Sequence, residues 1–450
     1  MKQKTIFLII LLSLWGWALY GFDFGVNIEN NSSYSSKEGE GFIQENTAHL
    51  WLNLPMGDFW VLNTSLMGSF SNDSDKPTFY GDIETFSLKG TFPHLENGAN
   101  LFSLEIGRFF HKEFSGFVFA HRMDGFRMEF GYPSSTLQLA FGYTGLLNKY
   151  YTSLVMSKLD ALDDLDKDIL FAPKRLIGTL SWNIPELFAR QNVNFSILVN
   201  EDLRHLFEDV IKEGKEVYDP SSGGLVDTQY FGIGLDGPLT SALFYNAFFY
   251  LGTGRMLTFV PDSQSNTGEA YLYKNILAGL GGVSFKYYLQ EFFQSVASVQ
   301  ILYATGDSDS ISSYIEGNTS GGSSLFLPIS GQTLGTAFQP KASNLLALEL
   351  GYSLKPFSSV KGSLLESLQA GAKLTPFFKA SKGSMSEGEV DPSAGAGYLG
   401  TDIAVYGNLR PFSDLGLGVA MGFFLPNSSA FLPGKDDPIV YGQFVFSFSF

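Results

Sequence analysis

Phe22-Asp23-Phe24-Gly25-Val26-Asn27-Ile28-Glu29 alternates without a break between an apolar residue and a polar or small one. Successive side chains of a β-strand point to opposite faces, so this run presents one apolar and one polar side. The pattern continues. Ala48, Leu50, Leu52 and Leu54 form one apolar face, Pro55-Met56-Gly57-Asp58 turns the chain, and Trp60, Leu62, Leu66 and Phe70 return with Asn63 and Ser65 between them. Roughly ten-residue runs of strict alternation are what strands need when one face meets lipid and the other water.

Further runs follow along the chain. They are Phe86-Leu88-Phe92, Phe102-Leu104-Ile106, Phe126-Met128-Phe130-Tyr132 and Leu137-Leu139-Phe141-Tyr143, then Leu180-Trp182 and Val193-Phe195-Ile197-Val199. Phe231-Ile233-Leu235 turns at Gly237-Pro238 into Leu243-Tyr245-Ala247-Phe249. Val283-Phe285-Tyr287-Leu289, Ala297-Val299-Ile301-Tyr303, Leu346-Leu348-Leu350-Tyr352 and Leu368-Ala370-Ala372-Leu374 come next. Leu399-Ile403-Val405, Leu415-Leu417-Val419-Met421-Phe423 and Phe444-Phe446-Phe448-Phe450 complete the series. The count is about 18, an even number as a closed bacterial barrel requires. Links after even-numbered runs are short and carry Pro, Gly, Asn or Asp. Links after odd-numbered runs are generally longer; the longest are Leu147 to Pro173, Asp202 to Thr228, Gly254 to Lys274 and Asp307 to Asn344. A soluble two-sheet protein has no reason to keep that parity. The expected fold is therefore all-β: a closed antiparallel transmembrane β-barrel with short periplasmic turns, long external loops and both termini on the periplasmic side.

The N-terminus agrees. Lys2 and Lys4 precede an apolar run from Ile6 to Leu19, the length of a signal h-region and too short for a comfortable membrane span. Cleavage after Gly21 is expected, giving a signal peptide at 1–21 and the barrel at 22–450. No later stretch holds about 18 uninterrupted apolar residues, and a secreted chain without such a helix can enter a membrane only as a closed barrel. The expected location is the outer membrane of a diderm bacterium.

Composition narrows the function. The chain has 450 residues, a net charge of −16, 49 Gly, 43 Phe and no Cys. Mean hydropathy is close to neutral despite the aromatics. The lack of Cys removes disulfides and thiol chemistry. The acidic balance argues against nucleic acid, which recruits basic patches. Two G-x-G-x-x-G matches, Gly232 to Gly237 and Gly395 to Gly400, are followed by strands rather than by the helix that a dinucleotide site needs, and read as a crowded wall or a turn. The five His form no ligand motif, and His121 near Asp124 reads as a loop pair. Gly306-Asp307-Ser308-Asp309-Ser310 lacks the spaced Gly and closing Glu of a Ca²⁺ loop and reads as a solvated acidic loop. Lys158 to Leu165 and Leu203 to Lys215 have Leu at helical spacing and read as solvated surface helices or irregular loops. No catalytic, metal or cofactor site is expected.

The charges inside the runs carry more. Glu105, Arg127, Glu129, Lys286, Glu349, Lys373 and Asp402 all fall on the polar face, where a wet lumen accommodates them. On the lipid face a Lys or Arg would cost about 2–4 kcal/mol at the midplane. Both signs occur, so these residues are candidates for a mixed-charge pore wall, for pairs that brace the wall, or for both.

Two resemblances add to this reading. Phe444-Val445-Phe446-Ser447-Phe448-Ser449-Phe450 resembles the C-terminal recognition strand of outer-membrane barrels, which implies that Phe446, Phe448 and Phe450 are read by the barrel-assembly machinery. Tyr398 to Ile403 with Val419 to Pro426, and Tyr303 to Asp307 with Asn344 to Leu346, resemble the late hairpins of alginate-export-type barrels, a family of 18 strands. That family lines a narrow duct with many Arg, and few Arg fall inward here. A barrel of this size leaves an aqueous channel unless it is plugged. The expected function is porin-like passage of small hydrophilic solutes; the alternative is a surface adhesin whose long loops bind partners. Outer-membrane lipid completes the expected partners.

Overall fold

The computed structural model describes residues 21–73, 76–93, 98–207, 213–214, 224–310, 321–330 and 332–450. Most of the expected signal peptide lies outside the described residues. Eighteen strands follow in order: β1 Asp23–Ser35, β2 Gly41–Met56, β3 Trp60–Asp73, β4 Lys76–Pro93, β5 Leu101–Lys112, β6 Ala120–Tyr132, β7 Ser135–Tyr143, β8 Arg175–Phe188 and β9 Gln191–Asp202. The second half holds β10 Val226–Pro238, β11 Leu243–Pro261, β12 Glu269–Leu289, β13 Ser295–Ala304, β14 Leu345–Leu354, β15 Gln369–Lys379, β16 Gly397–Phe412, β17 Leu415–Pro426 and β18 Ile439–Ser449. Among the described residues one α-helix, α1, spans Lys158–Leu165 in the β7–β8 link.

Each strand pairs antiparallel with its neighbours in sequence, and β18 pairs with β1, so the sheet closes. Closure matters because every backbone N–H and C=O at membrane depth must find a partner within the protein. At the closing seam Phe448 stands opposite Ile28, Phe450 N–H donates to Val26 O at 3.0 Å, and Val26 N–H donates to Phe450 O at 2.7 Å. Every alternating run read from the sequence falls on one of these strands, with Phe22, Leu368 and Phe450 one residue beyond the strand ends.

The two faces separate as the alternation requires. Phe24, Leu50, Phe86, Ile106, Phe141, Trp182, Phe249, Met421 and Phe444 are all exposed large apolar residues, at every second position of their strands. An exposed apolar belt of that extent is a surface for lipid, not water. The opposite parity faces the lumen.

Three sequence expectations are corrected. Gly254 to Lys274 is not a long loop: β11 and β12 pair through Arg255–Asn275 as far as Pro261–Glu269, leaving only 262–268 as the link. Beyond the lipid belt a strand no longer needs alternation, so its continuation was invisible to that pattern. Leu399 does not stand on the outer face with Ile403. A bulge skips it between Gly400 and Tyr398, and it is fully buried inside. α1 is solvated only on one side: Ser157 and Asp160 close a capping box at its start and Asp160 is buried, while Leu162, Asp164 and Leu165 stay exposed. The second expected helix is described only in part, with a 3-10 turn at Arg204–Leu206.

The core lies in the lumen. One cluster joins inward residues of β5 to β13, among them Phe109, Met123, Ile177, Leu198, Tyr230, Tyr250 and Leu302, to Val118, Phe119, Leu154, Met156 and Leu325 to Ile329 of external links. A second joins Leu345, Ala347, Phe377, Leu399 and Phe424 of β14 to β17 to Ala337 and Phe338 of the same β13–β14 link and to Met385, Val390 and Phe431 of two further links. The lumen is thus not uniformly polar, contrary to the sequence reading.

Candidate functional site

The constriction begins with two glycines. β4 pairs with β5 only from Pro93–Leu101 up to Phe86–Arg108, and β6 pairs with β7 only up to Asp124–Tyr143. Yet β5 and β6 go on pairing with each other to Lys112–Ala120. The hairpin therefore leaves the wall at Gly107 and Gly125. Gly107 has φ +123°, and a Cβ on Gly125 would lie 1.9 Å from Phe141 O. Neither position admits a side chain while the hairpin folds inward.

The hairpin tip reaches β11, far round the ring. Phe114 stacks on Tyr250 at 5.2 Å and Phe117 on Phe248 at 5.7 Å. The matches in the G-x-G-x-x-G run find their use here: a Cβ on Gly234 would lie 2.8 Å from the Phe114 ring. Buried Glu113 accepts from Tyr250 hydroxyl at 2.5 Å, Ser115 N–H at 2.6 Å, Ser115 hydroxyl at 2.7 Å and Val118 N–H at 3.1 Å. His111 Nε2 sits 2.9 Å from Thr179 hydroxyl on β8. The β13–β14 link lies alongside: Ile329 N–H donates to Val118 O at 2.9 Å, and Tyr230 hydroxyl donates to Leu327 O.

The β7–β8 link is fixed by a buried charge quartet. Arg175 donates to Asp160 at 2.6 Å and lies 3.4 Å from Asp202; Arg204 pairs with Asp160 and with Asp202 at 3.1 Å. All four are buried. Charges at this depth are tolerable only as mutually satisfied pairs.

The candidate wall residues fall into three situations. Glu105 is buried, accepts from Ser87 hydroxyl at 2.7 Å and pairs with Arg127, whose guanidinium lies 5.1 Å from the Phe109 ring. Glu129 accepts from Gln138 at 3.1 Å, and Lys373 meets Glu349 at 3.0 Å. Lys286 lines a pocket near the periplasmic turns with Asp236 and Asn246. Asp402 does something else. It is buried and accepts from the backbone N–H groups of Thr336 at 3.3 Å, Ala337 at 2.7 Å and Phe338 at 2.9 Å. It anchors the inward β13–β14 link rather than facing open lumen. His121 and Asp124 do not pair: both stand in β6, where His121 Nδ1 contacts Arg122 O and Asp124 holds Arg108. Asp307 is not solvated either; burial, with a hydrogen bond to the Asp309 carboxyl, pushes its carboxyl up to about 6.

Sequence reasoning missed a network on β2 to β4. His49 Nδ1 lies 2.6 Å from Glu84, Ser65 hydroxyl donates to Glu84 at 2.9 Å, and Arg122 of the inward hairpin pairs with the same carboxylate. His49 and Ser65 share the polar parity of runs already read. Glu84 sits in a bulge between the pairs Ser65–Thr85 and Leu66–Ile83, which breaks the count.

Two arcs result. From β7 to β17 the external half of the lumen face is packed under links, while Asn183, Asn194, Asn246, Lys286, Gln300, Glu349 and Lys373 keep its periplasmic half polar. From β18 through β1 to β4 the lumen face is predominantly polar and half-exposed, with Gln443, Ser447, Asn27, Thr47 and Asn63, and exposed Asn408 of β16 continues it on the periplasmic side. A cavity of about 1040 Å³ opens beside β15 to β18, lined by Lys373, Asn408, Arg410, Gln443 and Ser447 among others.

No family model and no curated protein matches the chain. Solved structures do. OccAB3 of Acinetobacter baumannii is 10% identical, with 96% of this chain and 100% of that chain covered and a TM-score of 0.56. OccK5 (OpdH) of Pseudomonas aeruginosa is 13% identical over 96% of this chain and 98% of its own, with a TM-score of 0.55. The outer membrane protein OprD of Pseudomonas aeruginosa is 10% identical over 95% and 94%, with a TM-score of 0.53. The chain shares the 18-stranded barrel fold of these proteins from end to end.

Proposed function

We propose that the chain is a porin-like channel in the outer membrane of a diderm bacterium, passing small hydrophilic solutes. The polar, half-exposed arc from β18 to β4, beside an arc whose packed external half narrows the bore over a polar periplasmic half, is the observation that carries this. A barrel replaces lipid by a polar wall, and inward links set width and charge preference. The apolar residues of the β5–β6 and β13–β14 links are spent inside the lumen, which favours a channel over an adhesin. Glu105–Arg127 and Glu349–Lys373 act as braces and as charged wall; Glu129 and Lys286 face the same water. Residues 1–21 are a signal peptide, and Phe446, Phe448 and Phe450 are the strand that the barrel-assembly machinery reads.

Single-channel recording in a planar lipid bilayer tests the function. Discrete conductance steps are expected, blocked transiently by permeating sugars or small ions of suitable width. Glu29, Glu45 and Glu84 on the polar arc predict a slight cation preference at low salt. It should fade at 1 M salt, where the screening length is about 3 Å. Correctly folded protein that never conducts refutes the channel.

A further inference from the structure

The departure of the β5–β6 hairpin leaves a seam in the wall. Among the described residues, the edge of β4 away from β3 has no partner strand from Lys76 to Thr85. Phe79 and Ile83 stand opposite Phe70 and Leu66 of β3, and all four are exposed apolar residues. A tilted strand crosses the hydrocarbon in about 9–11 residues, and β3 uses Trp60 to Phe70 for this. The seam therefore lies at the depth of the outer leaflet. Bare strand edges do not occur there, because each unpaired backbone group costs several kcal/mol.

Side chains and a loop segment close the seam in place of a ladder. Asn148 Nδ2 donates to Gly81 O at 3.3 Å, and Asn148 N–H donates to the Asp82 carboxylate at 3.3 Å. Arg108 donates to Ile83 O and to Leu146 O, each at 2.9 Å. Three rings run through the same place. Tyr150 stacks on Tyr80 at 5.7 Å, and Tyr151 meets Tyr80 edge-on at 4.8 Å. Leu146 and Tyr150 are each 53% exposed, whereas Tyr80 hydroxyl donates to Glu45 of β2 at 2.6 Å. Just towards the periplasmic side lies a cavity of about 300 Å³, with Trp51, Phe109 and Phe110 beside Asn63, Glu105 and Arg127.

We infer that this seam is a lateral portal by which a single-chain amphiphile passes between the outer leaflet and the lumen, with residues 146–151 as its lid. The inference rests on the membrane placement proposed above and adds a second class of cargo. Side-chain hydrogen bonds join the lid to β4, whereas on its other side Lys149 N–H donates to Leu170 O at 3.1 Å, Ala172 N–H donates to Leu147 O at 2.9 Å and Lys149 Nζ donates to Asp164 O at 2.9 Å; the lid therefore lifts from β4 in one piece with 163–172, hinged on the buried quartet at Asp160. Tyrosine rings accept an alkyl chain without demanding one shape. The paired Glu105 and Arg127, with Asn63, suit an uncharged or zwitterionic head.

The chain lacks Cys, so an Ile83→Cys/Leu146→Cys variant carries only the introduced thiols. The full-length protein is reconstituted in liposomes and bridged by a short bis-methanethiosulfonate reagent. The probe is dye-labelled lysophosphatidylcholine in the outer leaflet, followed as it becomes protected from extraction by external serum albumin, which is too large to enter the channel; ion conductance is recorded in parallel. Bridging should slow protection about tenfold, since lid opening then limits passage. Dithiothreitol should restore it, and conductance should stay unchanged. A second variant, Tyr80→Ala/Tyr150→Ala, should speed protection. Equal rates with and without the bridge, or no rate above protein-free liposomes, overturn the portal. So does an alanine variant that transfers no faster than the parent. Amphiphile transfer without conductance would leave the portal standing and refute the channel instead.

Discussion

Replacing Arg175 by Met should release the β7–β8 link from the lumen while leaving the barrel closed. Arg175 sits on β8 and supplies a 2.6 Å bond to Asp160 and a 3.4 Å contact to Asp202. It also donates to Val226 O at 3.1 Å. The variant keeps both carboxylates buried but leaves Arg204 to serve them. Removing one partner of a buried ion pair typically costs about 3–5 kcal/mol, because the remaining charge is stranded. At about 1.4 kcal/mol per factor of ten, that shifts docking of the link by roughly 10²- to 10³-fold or somewhat more. The closed ladder does not depend on the link, so its amides should not change. Hydrogen exchange of the detergent-folded protein reads both regions at once. Amides of 154–165 should exchange faster by about the same factor if they open by local release, and those of β1, β2 and β18 should match the parent. Adding Asp160→Asn to Arg175→Met should recover part of the loss, because one stranded charge is gone. Parent-like exchange at 154–165 in the single variant would show that the apolar contacts of Leu154 and Met156 hold the link and that the quartet does not.

Three further outcomes follow from other parts of the molecule. A Gly125→Val side chain would collide with Phe141 O, 1.9 Å from its Cβ, and should push the hairpin out of the bore; single-channel conductance should rise, and an unchanged value would show that the hairpin is not the constriction. Asp307 has its carboxyl raised from 3.8 to about 6, so the folded link binds its proton more tightly than the unfolded link does; its docking is therefore strongest at acid pH and weakens as pH rises from about 4 to 6. Proteolysis of the β13–β14 link should increase over that window in the parent and stay level in Asp307→Asn; a parent profile that is flat or rises towards acid refutes this. Deleting Phe450 removes only about 1.5–3 kcal/mol of apolar contact, so the molecules that reach the outer membrane should keep heat-modifiable gel migration while their number falls; undiminished surface abundance would leave the aromatic row as lipid-facing surface alone.

The lipid face was legible because the solvent dictates it. Hydrocarbon on one side forces an apolar residue at every second position, as at Phe22 to Ile28 and Phe444 to Phe450, and nothing else imposes that period for so long. The lumen face was less legible because nothing dictates it uniformly. Ile177, Leu198 and Leu302 are apolar inward residues whose partners are distant links, and a strand carries no mark that says whether a loop will cover it. Gly107 and Gly125 look like any of 49 glycines; only the ladders that stop beside them show that the hairpin leaves the wall. The seven charged candidates were found by parity, yet parity cannot tell the Glu349–Lys373 pair from Asp402, which holds three amides of an inward link. Glu84 escaped because one bulge shifts the count by one residue.

The split of the bore into a packed arc and a polar arc has a consequence for how such a protein changes over generations. Side chains on the packed arc are each bound into a shared interior, so a substitution there must satisfy several neighbours at once. Those on β18 to β4 touch mainly water and one another. Lineages can therefore re-tune what the channel admits by drifting along one side of the ring, while the other side, under selection only to fold, stays as it is.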